Sequence, residues 1–559
     1  MLTYGPAQGP AEAGSVIIVG GGPCGLMLAN ELGRRGITAT LVDAKSDTAF
    51  NPQANATQAR TMEHYRRHGF ADEVRALGLP PDFPTDIAYF TRYACFELAR
   101  FSLPSARDAK TIVRTLSGSW SAAELPHRVS QKFVEKVLRR HAERLPGISV
   151  NYGWRMTDFR DLGDRVEVEV EKSDGTERRT LKAAYLMAAD GPRSLARNRF
   201  GFRWTGETGV VRDFFGGRMY AIYVNAPEFY RLVPHKPAWM NVTFNRERRA
   251  FMASVDGKGQ FAFHTQLRAH EDGSRVTSDV AAAMFRQGVG AEIPVEVLAC
   301  ETWTAGHALV AEHFRQGRVF LGGDAVHLFT PAGGLGYNTA IEDAVNLGWK
   351  LAAVLKGRAD AALLDSYEAE RKPLAIRNTG YARGFAESLG NYQPVAEIED
   401  AGPAGETARR IAGEYLEAHG RAEFNIPGIT FGGRYDGSPA IVSDGTSPPE
   451  DAANRYEPSA CPGGRPPHLW LPDGSSLYDR FGFEFTLLRL GPRPPEAAAF
   501  VREAERRGIE LVVADAPSAE ARDLYGADLA LIRPDQIVGW RGNDPLEAPT
   551  ALGRTTGRP

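Results

Sequence analysis

The sequence predicts an α/β protein of several domains: a parallel sheet wrapped by helices, an antiparallel sheet set beside it, and a small α/β unit towards the C-terminal end. Three observations predict it. Apolar strand-like runs at Ser15–Val19 and Thr38–Val42 flank a segment of helical spacing, the alternation that builds a parallel sheet. Between Phe202 and Cys300 the helical period gives way to alternating aromatic runs, the pattern of a sheet with one covered face. At 559 residues the chain is longer than one hydrophobic core sustains.

The first element carries a motif. The run Ser15–Val19 leads into Gly20-Gly21-Gly22-Pro23-Cys24-Gly25, which matches G-x-G-x-x-G at positions 20, 22 and 25. Leu26, Ala29, Leu32 and Gly33 continue as one helix face, and the second strand ends at Asp43, followed by Ala44. An acid about 20 residues past the glycines completes the dinucleotide fingerprint. The first glycine makes the turn, the second lets backbone approach a pyrophosphate, and the third lets helix pack on strand. The carboxylate accepts bonds from a ribose diol. This fingerprint alone does not separate NAD from FAD.

A second organising stretch runs from Arg318 to Leu351. Val319–Gly322 is a short buried strand by type, and Gly323–Tyr337 is a Gly/Pro-rich loop holding one acid, Asp324. Ala340, Ala344, Leu347, Gly348 and Leu351 then recur at helical spacing. A helix start near Asn338 or Thr339 is expected, with Glu342 and Asp343 in its first turn. The segment Pro331-Ala332-Gly333-Gly334-Leu335-Gly336 carries little side chain, so backbone can come close to a flat ligand. The helix start then aims N–H groups and a positive dipole end at that ligand, which suits one that becomes an anion. Asp324 suits a hydroxylated chain. Gly334, Leu335, Gly336, Tyr337 and Asn338 are therefore binding candidates.

A third segment, Ala188-Ala189-Asp190-Gly191-Pro192-Arg193-Ser194-Leu195-Ala196-Arg197, reads D-G-x-x-S-x-x-R. With the fingerprint and the Gly323-Asp324 segment, in this order, the chain resembles the aromatic-ring hydroxylase flavoproteins, the single-component FAD-dependent monooxygenases, over roughly Val16–Ala386. Leu364-Asp365-Ser366-Tyr367-Glu368-Ala369-Glu370-Arg371-Lys372-Pro373 and Arg60-Thr61-Met62-Glu63 are also typical of the family. The resemblance implies FAD contacts at Arg60, at Gln131 of Arg128-Val129-Ser130-Gln131, at Asp190, and at backbone near Arg155 or Met156. Many relatives carry a basic residue where Asn51-Pro52-Gln53 has Gln53.

That resemblance implies a Rossmann-like FAD-binding domain of the p-hydroxybenzoate-hydroxylase type over 1–82, 102–201 and 300–390. Residues 83–101 and 202–299 would form an antiparallel-sheet substrate domain with strands at Met219–Val224, Trp239–Phe244, Phe251–Val255 and Gln260–Leu267. Tyr223, Asn241 and His264 are its candidate polar contacts. Ile148–Tyr152 and Val166, Val168 and Val170 read as strands of a further small sheet. Residues 391–466 form a Pro/Gly-rich linker with a helix at Thr407–His419. Residues 467–559 resemble the thioredoxin-like C-terminal domain of the phenol-hydroxylase branch, without a CxxC pair, leaving a role in packing or dimerisation; a homodimer is expected.

Composition narrows the remaining classes. Net charge is −3, with 43% hydrophobic and 24% charged residues, which gives nucleic acid or an acidic membrane no reason to bind. The four cysteines, Cys24, Cys95, Cys300 and Cys461, are scattered, arguing against a disulfide framework or a zinc site. Ala13–Asn30 carries no charge, yet glycines interrupt it and no basic residue precedes it, so it reads as strand and turn after a loose tail, Met1–Ala13. A soluble cytoplasmic protein with no metal is expected.

The resemblance implies the reaction as well. FAD, reduced by NADPH or NADH, reacts with O2 to a C4a-hydroperoxide that hydroxylates a phenolic aromatic. Pro331 would stand beside the reacting carbon. There is no second G-x-G-x-x-G, so the nicotinamide is expected to bind transiently. The alternatives are a polyketide-tailoring flavin oxygenase, by hydroxylation or Baeyer–Villiger insertion, and a flavin-binding protein without turnover.

Overall fold

The computed structural model describes residues 13–208, 214, 216–268, 271 and 276–558. The expected tail over Met1–Ala13 lies outside them except for Ala13, which opens the first strand, Ala13–Val19. That strand is central in an eight-stranded sheet. Along its path the order is Arg315–Gln316, Val319–Leu321, Arg178–Ala188, Ala13–Val19, Ala39–Asp43 and Ile148–Tyr152. Four of the five pairings along this path are parallel, with Val16 opposite both Ala39 and Tyr185. β-Branched and aliphatic runs suit these strands because both faces are covered.

Ile148–Tyr152 thus extends the main sheet rather than forming a separate small one. Val166–Lys172 and Trp154–Asp161 attach as an antiparallel flap through Arg178–Ala188. On the sheet lie the helices Pro23–Arg34, Gln131–Glu143 and Leu335–Leu355. Gly33 fits because a Cβ there would stand 2.6 Å from the Ile148 side chain.

The second sheet has seven strands: Glu296–Ala305, Gly217–Asn225, Gln260–Gln266, Ala250–Ser254, Met240–Thr243, Ile87–Phe90 and Glu97–Phe101. Only the Met240–Thr243/Ile87–Phe90 pair is parallel. The two early strands cross over from the 83–101 segment. Directly opposed residues share a face. Ala88, Phe90, Tyr220, Ile222, Val224, Met252, Phe261 and Phe263 point one way and pack under the helix Ser278–Val289. Tyr89, Val242, Phe251 and His264 occupy the other face.

Two long helices, Ser366–Asn391 and Pro403–Phe424, strap the sheets together. The second exceeds the expected Thr407–His419 because Pro403 begins it, at a position where a missing N–H costs nothing.

The C-terminal sheet runs Leu511–Ala516, Phe485–Leu490, Leu529–Ile532, Val538–Gly542, the first pair parallel and the others antiparallel. Helices Ala498–Arg507, Ala519–Tyr525 and Ala548–Thr555 complete a thioredoxin-like β-α-β-α-β-β-α order. It docks through buried charge. Glu370 takes Arg533 at 2.7 and 2.9 Å and Lys350 at 2.6 Å, and Arg533 also reaches Asp535 at 2.6 Å. Arg465 pairs with Glu63 at 2.6 Å, and Arg34, Arg35 and Arg67 surround the Phe483 ring at 4.3–4.5 Å.

Candidate active site

Sheet order explains how three distant motifs meet. The strands ending at Leu321, Ala188, Val19 and Asp43 are consecutive neighbours, so their C-terminal ends lie side by side. Each end carries one motif: Gly322–Ala325, Ala189–Arg197, Gly20–Gly25 and Asp43. A ligand crevice at the carboxyl ends of parallel strands follows from this topology. Direct bonds tie the motifs. Ala189 N–H donates to Val19 O at 2.7 Å, Gly322 N–H to Ala188 O at 3.2 Å, and Arg197 Nη1 to Ala325 O at 3.0 Å.

The three fingerprint glycines play different parts. Gly20 has φ +113°, and a Cβ there would lie 2.0 Å from Ala189 O. A Cβ at Gly25 would lie 1.9 Å from Gly20 O. These two serve the fold. A Cβ at Gly22 meets nothing within 4 Å, and Pro23 then opens the helix, which lacks a side-chain cap. The free surface over Gly22 and the bare helix N-terminus form a cradle suited to a pyrophosphate.

Asp43 takes Gly21 N–H on one oxygen at 2.6 Å and Lys45 N–H on the other at 2.7 Å. Tyr152, at the neighbouring strand end, donates to Gly21 O at 2.8 Å. The sequence reading missed Tyr152, because only pairing of Ile148–Tyr152 with Ala39–Asp43 brings it here. The backbone carbonyl of Ala44 accepts from Ser173 Oγ at 2.7 Å. Cys24 is buried below the loop, and burial raises its thiol well above the ordinary value, so it is packing, not redox chemistry.

Asp190 accepts Leu195 N–H at 2.8 Å, while its other oxygen has no partner among the described residues. Burial raises its carboxyl above the ordinary range. Gln131 donates to Glu135 Oε1 at 2.7 Å, and Glu135 Oε2 receives Ala49 N–H at 2.7 Å. Asp324 has solvent-accessible surface within a crevice walled by protein, and that desolvation raises its carboxyl too.

The helix beyond the Pro331 loop begins at Leu335, earlier than the expected Asn338 or Thr339. Gly333 and Gly334 both adopt φ +65°, and this left-handed pair turns the chain early enough for Leu335 to be helical. Its first turn holds no acid, contrary to expectation. Asp343 is instead wholly buried beneath the crevice. It accepts from Gly323 N–H at 3.1 Å, lies 2.7 Å from His327 Nε2, and takes Arg371 Nε at 2.9 Å. Burial alone would raise its carboxyl, but His327 and Arg371 outweigh that and hold it below the ordinary range. Arg371, from the Tyr367–Arg371 motif, is thus a brace under the Gly323 turn.

Several candidates turn away from the crevice. Arg60 reaches the C-terminal domain, donating to Asp535 O and Gln536 O at 2.9 Å and pairing with Glu63. The Tyr337 hydroxyl is committed to Tyr65 in the core. Met156 has a buried side chain, leaving only backbone to offer. Asn338 is a loop brace: it accepts Gln58 N–H at 2.8 Å and donates to Gly334 O and Ala56 O at 2.6 and 3.0 Å. Gln58 and Glu423 also hold Gly333, through its O and N–H respectively, each at 2.9 Å. Leu335 and Gly336 supply free-end backbone at the helix start, and a Cβ at Gly336 would stand 3.2 Å from the Phe329 ring.

Among the sheet candidates, Asn241 is a correction. It sits opposite Ala88 and Met252, so it faces the Ser278–Val289 helix and donates to Ala238 O at 3.1 Å. Strand parity decides this, and the expected strand did not fix the parity. Tyr223 and His264 lie on the inner face. Lys132 Nζ donates to the Tyr223 hydroxyl at 2.9 Å, and that hydroxyl bonds Gln260. His264 stacks on Phe251 with centroids 4.5 Å apart, and Trp303 stands edge-on at 6.0 Å. The inner face shares one apolar cluster with Ala332 and Leu335 of the Pro331 loop and with Phe385.

Comparison with known proteins agrees with this geometry. Residues 14–381 match the FAD binding domain family model, and residues 459–559 match the model for the aromatic-ring hydroxylase C-terminal domain. The chain is 30% identical to phenol 2-monooxygenase of Pseudomonas sp. (strain EST1001), over 96% of this chain and 91% of that protein. It superposes on the rebeccamycin biosynthetic enzyme RebC with reduced flavin at a TM-score of 0.86 and 30% identity, covering 98% and 99% of the two chains. Aklavinone-11 hydroxylase, in a ternary complex with FAD and aklavinone, gives 0.80 and 26%, covering 99% and 100%. A nucleotide cradle at four adjacent strand ends, an aromatic sheet face over it and a thioredoxin-like C-terminal domain, matched along the whole chain, make this protein a member of the aromatic-ring hydroxylase family of FAD-dependent monooxygenases.

Proposed function

We propose that the chain hydroxylates a phenolic ring, taking electrons from NADH or NADPH and one oxygen atom from O2. The observation that carries this reading is the shared cluster between the Pro331 loop and the inner face of the seven-stranded sheet. It sets an aromatic wall over the crevice that the four strand ends build.

The residues present fit FAD. Gly22 and the helix Pro23–Arg34 suit the pyrophosphate, Asp43 the ribose, Asp324 and Gln131 the polyol and its neighbourhood, and the Leu335–Gly336 backbone the ring system. FAD, once bound, supplies hydride acceptance and oxygen activation. The chain's part is positional and electrostatic. N–H groups at the start of the 21-residue helix Leu335–Leu355 stabilise negative charge beside them. Tyr89, Trp239, Val242, Phe244 and Phe251 keep water from the ring to be hydroxylated. Pro331 is exposed where the loop meets that wall, and its carbonyl favours positive charge on a ring beside it. Burial lowers the His264 pKa to about 4, so at neutral pH it is a neutral imidazole that can exchange a hydrogen bond with a phenol. Tyr223, held by Lys132 and Gln260, serves as a brace in this reading.

The experiment is NAD(P)H oxidation by the flavin-loaded protein in air with a panel of phenols, together with product mass. Substrate-stimulated oxidation with a gain of one oxygen atom is expected. Flavin-loaded protein whose NAD(P)H use ignores every phenol, and which yields no oxygenated product, overturns the reading. The homodimer belongs to the same proposal and is read by sedimentation.

A further inference from the structure

Arg128 is buried with no counter-ion. Its relative exposure is 5%, its Nη1 has no partner, and its guanidinium makes no hydrogen bond or ion pair with any described residue. It lies against aromatic faces instead, 4.4 Å from the Trp239 ring centroid and 5.9 Å from that of Phe424. The acid beside Phe424, Glu423, is occupied by Gly333 N–H and by His419 Nε2 at 2.9 Å. Burial lowers the Arg128 pKa to about 10, so it stays protonated at neutral pH. The other buried arginines among the described residues meet carboxylates or carbonyls, for example Arg371 with Asp343, Arg465 with Glu63 and Arg533 with Glu370. An unpaired buried charge is costly, and persists where a partner arrives from outside.

Its surroundings indicate where that partner comes from. His127 is paired through both backbone groups with Thr57, and the next residue, Gln58, holds Gly333 O. Phe424 follows the residue that holds Gly333 N–H. Arg128 is thus bracketed by the two anchors of Gly333, two residues beyond Pro331. Trp239 belongs to the cluster that includes Ala332, Leu335 and the inner sheet face. The glycine cradle that suits a pyrophosphate is built from other elements, the end of the strand Ala13–Val19 and the start of the helix Pro23–Arg34.

We propose that Arg128 is the counter-ion for an anionic oxygen group, a carboxylate or a phenolate, on the aromatic substrate. This rests on the hydroxylase reading above and narrows it to aromatic substrates that bind as anions. A guanidinium stacked on Trp239 keeps its edge free for an in-plane bidentate contact with such a group.

The test uses the flavin-loaded full chain and phenolic carboxylic acids of one to three rings, each beside its methyl ester. Binding is read from the flavin difference spectrum. Where phenolate is the anion, affinity rises as pH passes the phenol's own pKa and the ester binds as well as the acid; where carboxylate is, affinity is flat and the ester fails. Either way the anionic form should bind at least tenfold tighter than its neutral counterpart. Arg128→Met should abolish that preference and Arg128→Lys retain part of it. Unliganded Arg128→Met should melt at or above the parent's temperature, since it removes an uncompensated charge. No charge preference in the parent, or an undiminished one in Arg128→Met, overturns the proposal. So does an Arg128→Met protein that melts several degrees lower or loses FAD, because the arginine is then structural or serves the cofactor. Product formation by the parent decides the hydroxylase reading separately.

Discussion

The three glycines of the fingerprint should separate under substitution. Gly22 has extended backbone, φ −82° and ψ −173°, and a Cβ there meets no protein atom within 4 Å. Gly22→Ala should therefore leave the cofactor-free fold intact, or stabilise it by about 0.4–1 kcal/mol through a less flexible unfolded chain. Gly22→Val adds an isopropyl group, three carbons, where a pyrophosphate would lie against backbone. A hundredfold loss of FAD affinity, about 2.7 kcal/mol, is the expected scale. Gly20→Ala is the opposite case. It places a methyl 2.0 Å from Ala189 O at φ +113°, so the loop or the neighbouring strand must move, at a cost of about 1–3 kcal/mol for the backbone strain alone. Gly25→Ala meets Gly20 O at 1.9 Å and behaves likewise. The assay is paired: flavin-to-protein ratio after gel filtration, and thermal melting of the flavin-stripped protein. Gly22→Val that melts like the parent but elutes colourless is the predicted result. Full flavin occupancy in Gly22→Val refutes the cradle, and a parent-like melt for Gly20→Ala refutes the steric account.

Asp324→Ala removes an exposed carboxylate from the crevice, so melting of the stripped protein should move by no more than about 0.5 kcal/mol while FAD retention falls; unchanged flavin content after gel filtration removes Asp324 from the site. Asp43→Ala gives up two charge-assisted bonds to the Gly21 and Lys45 amides, each worth about 1.5–3 kcal/mol at most, and should lower both loop order and FAD retention; hydrogen exchange at Gly21 that matches the parent would count against it. Glu370→Ala leaves Lys350 without a carboxylate in the interior and Arg533 with Asp535 alone, a loss of about 3–5 kcal/mol, and should make the C-terminal domain protease-sensitive before the rest; uniform digestion contradicts that. Glu31, Glu63 and Glu370 are all held below the ordinary glutamate value, because their cationic partners outweigh burial. The folded state then binds fewer protons than the unfolded chain, so this stability is full above about pH 4.3 and declines as pH falls below it. A melting temperature that rises between pH 5 and 3.5 rules this out.

Local pattern determined a good deal. The G-x-G-x-x-G spacing with strand, helix and terminal acid requires a nucleotide cradle, because each position answers a contact made within some twenty residues. Alternating aromatic runs between 217 and 266 require a sheet with two unlike faces. The β-branched runs and turns beyond Pro467 carry the small C-terminal sheet. In each case the deciding interactions lie close in the chain.

Tertiary structure decided the rest. Asn241 and His264 look alike in sequence, yet strand register sends one to the covering helix and the other to the inner wall. Arg60 and Arg371 belong to motifs of a cofactor site, yet their guanidiniums meet Asp535 O and Asp343, partners 475 and 28 residues away. Tyr152 reaches Gly21 only because Ile148–Tyr152 closes the parallel sheet. The helix at Leu335 begins early because two consecutive glycines take left-handed backbone against Ala56 and Phe385, a packing no local propensity contains. Nothing in the chain next to Arg128 dictates its burial: Trp239 and Phe424 arrive from distant segments to cover its guanidinium, and no acid comes with a free oxygen. A residue's type fixes which bonds it can make. The fold fixes which partners come within reach, and desolvation then sets what an unmet bond costs.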